Sequence, residues 1–138
     1  MAEPINYQLK NLETHADPRG WLVEMLKRNE VDQDIKQIHV VAIAPGAARG
    51  NHYHQNRVEW FLAVGGEVEV HLEDIKTKEK KIIKFVSDSA QRLTINPGIA
   101  HKFVNAGRRE AYLIAAQNDI FDPQNPDTYE YQMTSKNI

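Results

Sequence analysis

Gly46-Ala47-Ala48-Arg49-Gly50-Asn51-His52-Tyr53-His54-Gln55-Asn56-Arg57-Val58-Glu59 is the stretch on which the fold turns. Side chains on an extended strand alternate between faces, so His52 and His54 share one side while Asn51 and Tyr53 take the other. Gln55 to Val58 let the chain reverse, and Glu59, at the head of the next apolar run, can return its carboxylate beside the imidazoles. A further histidine, His101, follows the Pro97-Gly98 turn much later. For it to join the other three, strands far apart in sequence must be neighbours in space, as in a closed barrel. Three imidazoles and one carboxylate suit one divalent transition metal (Zn, Fe, Ni or Mn), whereas nitrogen donors disfavour calcium and magnesium. Taken alone, a His-x-His pair reads more simply as two polar residues on the wet face of a strand.

Outward from this stretch the chain is a series of short runs, alternating or continuously apolar, each closed by turn residues. They are Ile5 to Leu12, Gly20 to Lys27, Ile35 to Ala44, Asn51 to His54, Glu59 to Val64, Glu67 to Glu73, Lys81 to Val86, Gln91 to Ile95, His101 to Asn105 and Ala111 to Gln117. The first two flank the turn Asp17-Pro18-Arg19-Gly20, while Gly65-Gly66, Asn96-Pro97-Gly98 and Asn105-Ala106-Gly107 punctuate the later ones. So many evenly spaced strands in one domain predict an all-β jelly roll. Helix is limited to a turn within Asn29 to Lys36, and Phe121 to Asp127, with Pro123 and Pro126, forms no regular element.

The 138 residues make one ordinary domain, and 17 Lys and Arg against 19 Asp and Glu leave a formal charge of only −2. That charge creates no strong attraction for nucleic acid or an acidic membrane. Lys76 to Lys81 reads as a solvated hairpin. The absence of cysteine removes disulfides, thiolate metal sites and cysteine nucleophiles and suits a reducing compartment. No apolar run approaches the roughly 20 residues that cross a bilayer. Met1-Ala2-Glu3-Pro4 does not open a signal peptide, so a cytoplasmic protein is expected. No Gly-x-Gly-x-x-Gly fingerprint is present, and no nicotinamide cofactor is expected.

The histidine-rich stretch and the His101 region together resemble the paired motifs of the cupins. Gly46, His52, His54, Glu59 and Gly66 match Gly-x5-His-x-His-x3-4-Glu-x6-Gly. Gly98, His101 and Asn105 match Gly-x5-Pro-x-Gly-x2-His-x3-Asn, with Pro97 one position late and Ala90 in place of the initial glycine. The resemblance implies a double-stranded β-helix in a single domain over residues 1–138, its core at about 5–132 and its tail at 133–138 frayed.

Two further segments, Asp17-Pro18-Arg19-Gly20-Trp21-Leu22-Val23-Glu24 and Arg49-Gly50-Asn51-His52-Tyr53, resemble deoxysugar-nucleotide 3,5-epimerases. The run Gly50-Asn51-His52-Tyr53-His54 and the tail Phe121 to Tyr129 are similar to the C-terminal cupin domain of bifunctional capsular UDP-sugar epimerase/reductases, here without the reductase half. The family implies an epimerase or ketoisomerase of a nucleotide-linked 4-keto-6-deoxysugar, acting as a homodimer, with His52, His54, Glu59 and His101 on the metal. It also places Arg49 near the sugar or its diphosphate and Arg19 and Glu24 at the nucleotide end. Phe103, with Tyr53, Trp60 and Phe61, could stack a sugar or base, although strand aromatics are more often core. Tyr112 and Tyr129 are available as acids.

Epimerisation beside a ketone needs a base on the inner face. His39, which alternates with Gln37, Val41 and Ile43, is the candidate; a hydrogen-bonded core or surface histidine is the alternative. His71 belongs to a charged face with Glu67, Glu69 and Glu73 and is expected to be solvated, and His15 lies in a turn at the surface. Two other functions fit the same donors: a metal-dependent dioxygenase of a small organic molecule, and a non-catalytic sugar-binding or regulatory cupin.

Overall fold

A computed structural model of the chain describes residues 5–85 and 90–133. Among these, one sheet runs in the order β1 (Tyr7–Asn11), β9 (Gln91–Ile95), β6 (Glu59–Val64), β11 (Ala111–Gln117), β4 (Gln37–Ile43). The second runs β12 (Tyr129–Glu130), β5 (Ala48–Tyr53), β10 (Ile99–Asn105), β7 (Val68–Asp74), β8 (Lys80–Phe85). A separate hairpin joins β2 (Thr14–Asp17) to β3 (Gly20–Val23). Every pairing is antiparallel, and only β2–β3 and β7–β8 join consecutive strands. This is the jelly-roll arrangement predicted for the cupin fold.

The core lies between the two sheets. Ile43, Phe61, Leu93, Ile95 and Leu113 from the first meet Val68, Val70, Leu72, Ile83, Phe85, Ile99 and Phe103 from the second. Strand β6 reads as an unbroken apolar run because both its faces are covered. Phe61 points into the barrel, while Trp60 packs outward with Val58 and Ala116 beneath Met25, Leu26, Val31 and Ile35.

Some expected elements are redrawn. The Asp17 to Gly20 turn is present, but its partners are β2 and β3; residues around Ile5 instead form β1 against β9, with Tyr7 opposite Ile95. β2 buries nothing, so turn geometry alone pairs it, whereas β1 carries the half-buried Tyr7, and the preceding Ile5, to the core. The predicted helical turn is one 3₁₀ turn, Arg28–Glu30. Val86 and the expected frayed residues 134–138 lie outside the described residues. Glu73, expected on a charged, solvated face, is fully buried, and the Tyr131 hydroxyl donates to its carboxylate at 2.6 Å. No helix among the described residues is long and apolar enough to cross a membrane.

Candidate metal centre

The site gathers on the facing sides of the two sheets. In the second sheet His101 lies directly opposite His52 across the β10–β5 pairing. Register then slips, since Lys102 pairs with Gly50 and Asn51 becomes the extra residue of a bulge. The bulge works because Gly50 stands at φ +112°, where a Cβ would lie only 2.6 Å from the His101 carbonyl oxygen. His54 follows the end of β5, its carbonyl accepting from the Gly98 N–H at 2.8 Å. Glu59 opens β6 in the opposite sheet, so the chain reversal at Gln55 to Val58 carries it from one sheet to the other.

Ligand atoms of His52, His54 and His101 all lie within 4.8 Å of one another. The Glu59 Oε1 is 3.0 Å from His54 Nε2 and 3.4 Å from His101 Nε2. Two donors held on one ion at ~2.1 Å are about 3.0 Å apart at a right angle and about 3.4 Å apart at a tetrahedral angle, so these spacings fit a shared cation. The outer nitrogens agree. His54 Nδ1 lies 2.7 Å from the Asp127 carbonyl oxygen and His101 Nδ1 lies 3.1 Å from that of Ile99. A carbonyl only accepts, so each Nδ1 carries a proton and, in a neutral ring, the bare Nε2 faces Glu59. Two lone pairs and a carboxylate oxygen at that spacing repel unless positive charge lies among them.

Electrostatics favours ligating protonation states. Burial, reinforced by His101 and His54, pushes His52 down to about 4, and burial also lowers His101, so both rings are neutral at pH 7. Burial would raise the Glu59 carboxyl, but its surroundings, the contact with His54 first and then His101 and the Arg57 cation, outweigh it and hold it at about 2.

A cavity of about 280 Å³ opens onto this cluster, lined by Gln37, His39, His52, His54, Arg57, Glu59, Gln117, Phe121 and Thr128. The inward face expected for β4 is therefore the one that forms, and it carries His39 to the cavity wall, where its Nδ1 is buried without a hydrogen-bond partner. Arg49 is exposed on β5. Arg19 is held by Asp17 in the β2–β3 turn, and Glu24 lies near Lys27 at the surface. Phe103 is a core residue, its ring 4.7 Å from Phe61, and neither it, Arg49, Arg19 nor Glu24 lines the cavity. Tyr53 stacks on Tyr129, and Tyr112 donates to Glu110 on the surface. His71 pairs with Glu69 at 3.1 Å on a half-buried face. Asn105, the last residue of the second motif, is structural: its amide donates to the Ile43 and Arg109 carbonyls.

Sequence reasoning missed Arg57, a 5 % exposed cation whose Nε donates to Asp119 at 2.8 Å and whose Nη2 donates to the Pro126 carbonyl at 3.1 Å. It also missed the rim formed by Phe121 and Thr128 from the proline-containing tail. Proline marked that tail as irregular, and irregular backbone carries no periodic signal of which face it covers.

Residues 15–129 match the family described as polysaccharide biosynthesis C-terminal domain. The chain is 35% identical over 115 residues to UDP-2-acetamido-2,6-beta-L-arabino-hexul-4-ose reductase of Pseudomonas aeruginosa, covering 83% of this chain and 30% of that protein. The capsular polysaccharide assembling protein CapF of Staphylococcus aureus is similar in structure, with a TM-score of 0.69, 30% identity and coverage of 88% of this chain and 34% of CapF. The chain thus spans about a third of the length of these two. A dTDP sugar isomerase of Desulfovibrio desulfuricans superposes with a TM-score of 0.84 at 15% identity, over 94% of this chain and 86% of the isomerase, a likeness of fold.

Proposed function

The chain belongs to the polysaccharide biosynthesis C-terminal domain family, and from that premise we propose that it is an enzyme that epimerises or isomerises a nucleotide-linked 4-keto-6-deoxysugar at a divalent metal centre. The observation that carries this reading is the meeting of the His54 and His101 Nε2 atoms on one Glu59 oxygen beside a cavity wall that holds an unpartnered His39 nitrogen. The relatives support the substrate class: one is a UDP-sugar reductase, and another assembles capsular polysaccharide.

His52, His54, Glu59 and His101 would hold the ion, with Zn, Fe, Ni or Mn compatible with the donor set. A divalent ion there would supply positive charge next to a keto oxygen, which favours removal of a proton from the adjacent carbon. His39 would accept that proton at the buried Nδ1 and, in an isomerisation, deliver it to the neighbouring carbon on the same face; an epimerisation would need a second proton donor on the opposite face. Arg57, fixed by Asp119 and Pro126, keeps a positive charge beside His54 and Glu59 and favours anionic character in the cavity. Arg49, Arg19 and Glu24, exposed and away from the cavity wall, suit contact with the nucleotide end of a long substrate. The exposed β2–β3 hairpin, with Trp21 59% and Leu22 57% exposed, supports a homodimer, since a lone two-stranded hairpin is marginal in water.

Elemental analysis of the purified chain, followed by NMR of UDP- and dTDP-4-keto-6-deoxyhexoses in deuterated water, tests the reading. Stoichiometric transition metal and deuterium at the carbon beside the ketone are expected. Tight binding without deuterium uptake would instead assign a sugar-binding module, and turnover of a small organic molecule that stops without oxygen would assign an oxygenase.

A further inference from the structure

The segment after β11 returns across the mouth of the site, and one residue of it touches both His54 and the loop that follows it. The Asp127 Oδ1 accepts from the Gln55 N–H at 2.8 Å, and its Oδ2 accepts from the N–H groups of Asn56 and Arg57 at 2.9 and 3.0 Å. These are three of the four amides that link His54 to Glu59; the fourth, the Val58 N–H, donates to Asn118 Oδ1 at 2.9 Å. The main-chain oxygen of the same residue accepts from His54 Nδ1 at 2.7 Å. Asp127 stands at φ +48°, a region that side-chain-bearing residues seldom adopt, so its contacts hold it in an unfavourable conformation. Neighbouring contacts tie the segment down on both sides: Arg57 grips Asp119 and Pro126, and the Tyr131 N–H donates to the Asn51 carbonyl at 2.8 Å.

We propose that Asp127 is a positioning residue for the metal centre: its carboxylate sets the loop that carries His54 towards Glu59, and its carbonyl fixes the His54 ring with Nε2 turned inward. The physical reason is that a loop of four residues bridging two sheets has no ladder hydrogen bonds, and its amides would otherwise be solvated and mobile. One carboxylate accepting three adjacent N–H groups replaces that missing ladder. It does for the loop what cross-strand pairing does for His52 and His101. The proline on the N-terminal side limits the backbone freedom of the strap, which lowers the entropy lost in holding it.

This inference rests on the metal reading for its affinity measurement and stands independently for its effect on the loop. Asp127→Ala and Asp127→Asn are compared with the parent chain in two experiments. Co2+ titration followed by visible absorbance reports affinity and ligand field, and amide hydrogen exchange of the metal-free protein reports the loop. Asp127→Ala is expected to bind Co2+ roughly 10–100-fold more weakly, in the range for outer-shell partners of metal ligands, with a shifted absorption band. Its Gln55, Asn56 and Arg57 amides should exchange at least about tenfold faster while the β7 and β10 amides stay protected. Asp127→Asn, which keeps one acceptor oxygen, should fall between. Unchanged Co2+ affinity and spectrum in Asp127→Ala, or unchanged protection of the three amides, overturns the proposal. Should the parent chain itself take up no Co2+, the metal reading fails, and the exchange data alone still decide whether Asp127 sets the loop.

Discussion

Gly50 shows how one residue without a side chain governs the site. A methyl group there meets the His101 carbonyl oxygen at 2.6 Å and the Lys102 Cα at 3.1 Å, both main-chain atoms that cannot swing aside. Gly50→Ala should therefore cost about 2 kcal/mol or more, seen as a lower urea midpoint at unchanged m, and should weaken metal binding by separating His52 from His101. His52→Ala and His101→Ala should lose the ion on elemental analysis, and stoichiometric metal in both would refute the centre. His39→Asn should keep the metal and lose about 10²–10⁴-fold in the rate of deuterium exchange. These candidate residues were legible from residue type and spacing, and the fold brings them together. Asp127 and Arg57 were not, because an aspartate after a proline and an arginine in a loop are ordinary surface residues until the fold brings their partners to them.

Among the elements, the 3₁₀ turn Arg28–Glu30 ties distant strands together. Glu30 accepts from the Lys27 N–H at 2.9 Å, from Lys10 of β1 at 3.1 Å and from Arg92 of β9 at 3.1 Å. Together, led by the Lys27 hydrogen bond, these lower its carboxyl from the ordinary 4.5 to about 2. A depressed carboxyl contributes stability above its unfolded value and loses it as pH falls through the folded one. The stabilisation should thus be complete above about pH 4.5 and fade towards pH 2, and Glu30→Gln should flatten that part of the melting-temperature profile. The β2–β3 hairpin makes a separate prediction. If it covers a second copy, Trp21→Ser should move the chain from dimer to monomer in light scattering at micromolar concentration. A parent chain that is monomeric throughout would overturn the homodimer.

Across the whole molecule, the four proposed donors come from both sheets, so an ion held by them would cross-link the layers. Saturating metal at 100 times its Kd should add about 2.7 kcal/mol to stability and raise the melting temperature by several degrees, and a chelator should reverse both. Residue type, alternation and turn chemistry alone determined the all-β class and most of the strands and picked out the four candidate donors, because these are local properties with a period of two residues. Only the tertiary structure decided that Glu59 faces His54 from the opposite sheet, that His39 shares their cavity, that Glu73 is covered and that the tail closes over the loop. Each of these depends on which strands pair across long separations, and the alternation within one strand carries no information about its partner.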